Sequence, residues 1–333
     1  LDAAYTPETK NKSGLCRNGT KQKNKLMKNL IEITDVVKRY DGHTALNGVS
    51  MRVEEGAVHG LLGPNGAGKS TLIRILNHII ENDEGTVLLD GEPVTAASVR
   101  HIGYLPEERG LYKKMKVLDH IIFLGRLKGM SRHDARNAGL EWLRKMDLEE
   151  WKDKKIEALS KGMAQKVQFI GTIVHRPKLL VFDEPFSGFD PVNAEQIKKE
   201  MLELNRQGAT ILFSTHNMAS VEEVCRNITL INKSKVVLDG DVHSVRQKHK
   251  KHIYRVSISD PVLAPADGLF TIESIQADAV RGSNAVVKLC AGADFRTVVG
   301  YLNNRYSLTG FEEILPTMNE IFIETVTTTA NNE

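Results

Sequence analysis

The chain has 333 residues, 41% of them hydrophobic, and a net charge of +3, which is more than one average domain holds, so two domains or one large domain with an appendage are expected. No apolar run approaches the roughly 18 residues of a membrane helix, the N-terminus lacks a secretory apolar stretch, and three distant cysteines (Cys16, Cys225, Cys290) suggest neither a disulfide framework nor a zinc site, so the chain reads as cytosolic. Seven Lys/Arg against Asp2 and Glu8 put five surplus positive charges in residues 1–28 and leave −2 on the rest, which argues against a broad nucleic-acid footprint.

In chain order, residues 1–28 form a polar, basic leader without an apolar period and read as disordered. Met27, just ahead of the strand-like Leu30-Ile31-Glu32-Ile33, reads as the natural start. Strand signals dominate from about residue 30 to 105, including 58–62 and 85–89 with Asp90-Gly91 as a turn. The pattern is helical from about 110 to 158, where Ala135, Ala138, Trp142 and Met146 form a packing stripe behind Ser131, which with Asp134 resembles a capping box. Strands and helices then alternate to about 245, as an α/β sheet requires. The basic run Arg246 to His252 marks a domain boundary and reads as a solvated linker, with contact to anionic lipid as the alternative. The last stretch, with strands at 253–258 and 285–289 and a helix at 295–303, reads as a small α+β domain. The expected division is therefore 1–28 leader, 29–248 main α/β domain with its helical part at about 110–158, 249–328 small α+β accessory domain and 329–333 tail.

The stretch GLLGPNGAGKST sets Gly63, Gly68, Lys69 and Ser70 on the pattern GxxxxGK[ST], between an apolar strand and a helix with Leu72, Ile75, Leu76 and Ile79 on one face. Chemistry explains the spacing. Small residues let the backbone N–H groups of Gly63, Pro64, Asn65, Gly66, Ala67, Gly68 and Thr71, proline excepted, curl around phosphates, while Lys69 reaches the β- and γ-phosphates and the Ser70 hydroxyl ligates magnesium. In KLLVFDEP, four apolar residues, 179–182, read as a strand buried on both faces, with Asp183 and Glu184 at its carboxyl end, where open α/β sheets meet their ligands. Asp183 is expected to hold magnesium through its water shell, and Glu184 to deprotonate the attacking water. LSKGM, at Leu159 to Met163, is a second anion grip, a Ser-x-Gly turn opening a helix.

Together these motifs resemble the ATP-binding subunit of an ABC transporter over about residues 30–245. The resemblance implies a P-loop NTPase core of ABC type, α/β with a helical subdomain, plus the small C-terminal α+β domain, with ATP and Mg2+ as cofactors. It makes Tyr40 the adenine-stacking aromatic, Glu107 in GYLPEERGLY the Q-loop residue at the magnesium, Asp190 in SGFD the interface D-loop aspartate, and His216 the switch histidine, placed after the apolar strand 210–213. It also implies that Ser160, Lys161, Gly162 and Met163 grip not this chain's own ATP but that of a second copy, head to tail. Three positions depart from the usual pattern: Lys161 replaces a glycine and either adds charge beside the γ-phosphate or points to solvent, Met163 replaces glutamine, and Glu107 replaces glutamine. LPEERGLY, LSKGM and PTMNEIFIE are similar to a bacterial exporter subgroup related to sodium-extrusion pumps.

The implied function is energy coupling in export: a homodimer at the inner face of the cell membrane driving a separate multi-span permease, with no nucleic acid as partner. A soluble ABC ATPase acting on ribosomes or DNA is the alternative, disfavoured by the single motif set, the lack of a coiled-coil insertion and the slightly acidic body. A degenerate regulatory subunit would be expected to lack some of Lys69, Asp183, Glu184 and His216, and all are present.

Overall fold

A run as apolar as residues 179–182 is stable in a sheet only if both faces are covered. The computed structural model describes residues 28–331 other than 109, 189 and 279–281. The leader, the candidate start at Met27 and the last two residues lie outside the described residues.

The first part of the chain forms β1 (Asn29–Tyr40), β2 (His43–Glu54), β3 (Val58–Leu62), α1 (Lys69–Leu76), β4 (Glu84–Leu89), β5 (Glu92–Pro93) and β6 (Ile102–Leu105). Three helices follow, α2 (Val117–Leu127), α3 (Arg132–Lys145) and α4 (Lys161–Ile173). The alternating part comprises β7 (Leu179–Asp183), α5 (Pro191–Arg206), β8 (Thr210–Thr215), α6 (Met218–Val224), β9 (Asn227–Asn232), β10 (Lys235–Asp241) and α7 (Val242–Lys248). Last come β11 (Ile253–Ile258), β12 (Phe270–Asp278), β13 (Gly282–Leu289), α8 (Phe295–Arg305), β14 (Leu308–Ile314) and α9 (Met318–Asn331).

The central sheet has the order β10-β9-β3-β8-β7-β6, parallel except for β10. Every residue of β3, β7 and β8 is buried. Alternate side chains of β7 serve different cores: Leu180 and Phe182 pack with the helices α2 to α6, whereas Leu179 and Val181 pack with α1 and the antiparallel sheet β2-β1-β4-β5. Phe182 is wholly buried against Phe169 of α4, ring centroids 5.8 Å apart, so truncation to Ala there costs about 3–5 kcal/mol. This two-sided burial fixes the carboxyl ends of β3, β7 and β8, from which the site is built.

The helical part is α2, α3 and the first turns of α4, packed on one another. Ser131 caps α3 by accepting from the Asp134 N–H at 3.0 Å, but the reciprocal contact runs from its hydroxyl to the Asp134 carboxylate at 2.7 Å rather than from a backbone N–H. Ala135 and Met146 are wholly buried, and Ala138 and Trp142 pack beside them, as the stripe requires.

Strands β11 to β14 form an antiparallel sheet of order β12-β13-β11-β14, with Val298 and Leu302 of α8 in its own small core. The sequence ends this domain at 328, but α9 runs through that position and turns back to the core beneath α2 to α6. Met318 and Ile321 are buried among its residues, and the Met318 N–H donates to the Glu222 carboxylate of α6 at 2.5 Å. The basic run also differs from a solvated linker. Arg246 donates to the Pro316 carbonyl at 2.9 Å and pairs with Glu222, and Lys251 pairs with Glu324 of α9 at 3.2 Å. A charged run between two folded parts becomes a clasp when carboxylates from both face it.

Candidate functional site

The loop between β3 and α1 has little freedom. Gly63 and Gly68 have φ of 150° and 113°, and a Cβ would strike the Ile231 carbonyl oxygen at the first and that of Ala45 at the second, so the backbone itself fills the space a side chain would need. Gly68 caps α1 without a side chain, and the first turn holds no acidic residue, so the leading N–H groups stay free for an anion. Lys69 is only 8% exposed, and its ammonium donates to the carbonyls of Gly63 at 2.7 Å and Pro64 at 3.1 Å. Burial lowers its pKa, opposed by the carboxylates of Glu184, Asp183 and Glu107.

A cleft of about 400 Å³ brings together Tyr40, Asn65, Gly66, Ala67, Gly68, Lys69, Ser70, Thr71, Glu107, Asp183, Glu184 and His216. Gly63 and Pro64 adjoin it through the carbonyls that hold Lys69. Tyr40 ends β1 and is 46% exposed, an aromatic side chain open to stacking by a purine. The Asp183 carboxyl, 5% exposed at the end of β7, lies 3.4 Å from the Ser70 hydroxyl, which donates to it. Burial pushes this carboxyl above its ordinary range.

Glu184 follows in a left-handed backbone conformation (φ 49°), which for a non-glycine costs on the order of 1 kcal/mol. That turn aims its carboxylate at His216. Oε1 lies 2.6 Å from the imidazole Nδ1 and accepts the His216 backbone N–H at 2.9 Å, while the Thr215 hydroxyl donates to Oε2 at 3.2 Å. An ionised carboxylate only accepts, so the proton on this short contact belongs to Nδ1, and in the neutral ring Nε2 is left as an acceptor.

The described residues contain no group of three or more His, Cys, Asp or Glu able to hold a metal. One hydroxyl and a few carboxylates beside an anion cradle nevertheless suit magnesium, a hard ion that takes few protein ligands and fills its shell with water and phosphate oxygens. Ser70, Asp183 and Glu107 fit that demand.

The second anion grip lies elsewhere: none of Ser160, Lys161, Gly162 and Met163 lines the cleft. Ser160 is exposed and caps α4, its hydroxyl accepting from the Met163 N–H at 3.3 Å. Lys161 leans over Gly188 of the D-loop, and Asn193 lies against Gly162. Asp190 caps α5, accepting from the Val192 and Asn193 N–H groups at 3.1 and 3.0 Å, and these bonds hold its carboxyl below the ordinary range, the Asn193 backbone bond foremost.

Sequence reasoning passed over several residues. His43 and Ala45 line the cleft, and their signal was their place just after Tyr40. Thr215 supports Glu184, and its position before His216 was the clue. Gln165 and Gln168 of α4 bond to the loops around Ser187 and Glu107, with no motif to mark them.

The ABC transporter family matches residues 46–187, and the C-terminal domain family described as ATP-binding protein DrrA1-3-like matches residues 240–326. YhaQ of Bacillus subtilis (strain 168), an uncharacterized ABC transporter ATP-binding protein, is 36% identical over 299 residues, covering 89% of this chain and 98% of that one. The linearmycin resistance ATP-binding protein LnrL of the same organism is 31% identical over 214 residues, covering 63% and 69%. The dimeric structure of MJ0796, a bacterial ABC transporter cassette, superposes with a TM-score of 0.59 at 25% identity, over 63% of this chain and 98% of that one. With its cradle, acidic strand end and near full-length likeness to YhaQ, the chain belongs to the ATP-binding proteins of ABC transporters, a family of ATPases.

Proposed function

We propose that this chain hydrolyses ATP as half of a head-to-tail homodimer and so drives a separate multi-span permease that exports its cargo at the inner face of the cell membrane. The observation that carries the reading is the separation of two anion grips: α1 opens into the cleft, whereas Ser160 at the start of α4 stands outside it. A grip with no ligand in its own chain is explained by a ligand in a second one. The dimeric cassette similar to this chain supports that reading, and the resistance named for LnrL supports export. No helix among the described residues is long and apolar enough to cross a membrane, in keeping with a permease on another polypeptide.

Within the cleft, Tyr40 stacks on the adenine, the first N–H groups of α1 and Lys69 hold the phosphates, and Ser70, Asp183 and Glu107 hold Mg2+. When held there by Ser70, Asp183 and Glu107, magnesium would supply positive charge against the phosphates. Glu184 takes the proton of the attacking water, and His216, donating from Nδ1, fixes the direction of that carboxylate. Ser160 of the partner closes over the same phosphate, so ATP holds the dimer together and hydrolysis releases it.

Mixing two inactive chains tests this. Ser160→Arg obstructs the grip and Lys69→Ala empties the cradle, so each homodimer is expected to be inactive. In the mixed dimer one composite site carries both lesions and the other carries neither, so about half of the native turnover per dimer returns if the sites act independently. No recovery in preparations where mixed dimers are demonstrated would break the reading.

A further inference from the structure

Two glutamines on α4 have no part in the nucleotide cleft, yet each grips a loop that borders it. We infer that Gln165 and Gln168 are positioning residues that brace both catalytic loops against the signature helix of the same chain, and so hold this chain's own Glu184 and Glu107 in place for the ATP in its own cradle. The inference rests on the head-to-tail reading above and deepens it.

Three residues apart on a helix, the two side chains share a face. The Gln165 amide donates to the Ser187 carbonyl at 2.9 Å, and the Ser187 N–H donates to the Glu184 carbonyl at 3.0 Å, so a single residue separates α4 from the backbone of Glu184. Beside it, Gly188 (φ 74°) is so closely covered that a Cβ there would stand 2.8 Å from the Lys161 ammonium and 3.9 Å from the Gln165 amide nitrogen. The Gln165 amide oxygen is buried and meets no partner among the described residues, which leaves the bond to Ser187 as the contact that orients the amide. One turn further along, the Gln168 amide donates to the carbonyls of Pro106 at 3.4 Å and Glu108 at 3.3 Å, on either side of Glu107. Both glutamines line one narrow crevice with Glu107, Asp183, Glu184 and Ser187.

The helix is anchored in the core, because Val167, Phe169, Ile170 and Ile173 are wholly buried. Its free end carries Ser160. From that anchored helix the two loops are held through donor–acceptor pairs that a carboxylate, an amide's near-isostere without a donor, cannot reproduce. Neither glutamine touches the cleft in which ATP is bound. Their loss therefore acts on turnover rather than on ATP affinity.

The test places the lesion on one chain of a full-length mixed dimer, the two chains carrying different purification tags. With Lys69→Ala on the partner, one live site remains, built from the cradle and Glu184 of the first chain and the signature of the second. Gln165→Ala on the first chain is expected to lower kcat about tenfold or more, with KM for ATP changed less than about twofold. The same substitution on the Lys69→Ala chain is expected to lower kcat by less than about twofold. Gln165→Glu keeps the shape and should reproduce the first result without the loss of melting temperature that a packing defect produces, and Gln168→Ala should show the same dependence on placement. Equal losses in both placements, or loss in neither, overturn the inference. If the mixed dimer with unsubstituted glutamines does not assemble on ATP, the head-to-tail reading fails and the inference falls with it; if it assembles and turns over, the placement result bears on the glutamines alone.

Discussion

Helices α1 and α4 both lead with a turn suited to an anion, but they open in different ways. Gly68 caps α1 with no side chain and a left-handed backbone, whereas Ser160 caps α4 in an extended conformation and its hydroxyl already accepts the Met163 N–H. The first leaves its donors to a ligand and backs them with a nearly buried Lys69. The second is exposed, satisfies one of its own donors and has no counter-charge of comparable burial. A grip built into a cleft can bind alone, while a grip on the surface acts only when something brings a phosphate to it. On the proposed head-to-tail reading, that difference makes one helix end a binding site and the other a lid.

The largest effect should come from freezing the two ends together. Glu184→Gln keeps the shape of the side chain but removes the proton acceptor and one negative charge facing the phosphates, so turnover should fall by about a thousandfold while ATP binding persists. Size-exclusion chromatography with ATP is expected to find this variant as a dimer. A monomer that hydrolyses at the native rate would remove Glu184 from the role of base and undo the lid as well.

A smaller effect separates the two helix starts directly. Gly68→Ala forces a side chain into a left-handed conformation against the Ala45 carbonyl, a strain of about 1–3 kcal/mol that falls on the phosphate loop, so ATP affinity should drop by about ten- to a hundredfold. Ser160→Ala removes only the cap of α4. It should cost about 1 kcal/mol of stability and leave ATP binding by the isolated chain unaltered. Titration with a fluorescent ATP analogue and thermal melting read both, and a Ser160→Ala monomer with weakened ATP binding would mean that α4 serves its own cleft.

The same contrast explains what the sequence reveals and what it hides. Residues 63–71 and 179–184 are legible because each motif is contiguous and its chemistry follows from a local backbone form: a glycine loop into a helix start, an apolar strand into two carboxylates. Tyr40 is marked by the family resemblance alone, and His216 by that resemblance and its place after an apolar strand. The return of α9 is hidden, because it depends on a Glu222 carboxylate that meets a backbone N–H 96 residues away, and neither residue has a distinctive pattern around it. The basic run from Arg246 reads as a linker for the same reason, its partners being supplied by α6 and α9. Gln165 and Gln168 are hidden differently: they donate to backbone carbonyls, which every sequence offers, so no complementary residue type marks the pairing. Sequence shows chemistry that is local and leaves contacts made by the fold to the structure.

The smallest expected effect concerns Glu107, which bears on how far the cleft is complete without its metal. Glu107 lines the cleft with Asp183 and Glu184, and all three carboxylates act electrostatically on the Lys69 ammonium. In the absence of metal, a carboxylate near the γ-phosphate repels it. At a separation of about 5 Å and an effective dielectric near 20, two unit charges repel by about 3 kcal/mol, an upper bound. Glu107 is exposed, so solvent and salt reduce this to on the order of 1 kcal/mol. With magnesium between the two groups, shared coordination replaces repulsion, because a hard cation favours the charged oxygen over an amide oxygen. Glu107→Gln should therefore bind ATP about fivefold more tightly than the unsubstituted chain in EDTA, and the difference should shrink or reverse with excess magnesium. Titrating both proteins with a fluorescent ATP analogue, with and without metal, measures the coupling. The same metal dependence in both would make the carboxylate equivalent to the usual glutamine, and the cradle of α1 would then hold the nucleotide without help from this loop.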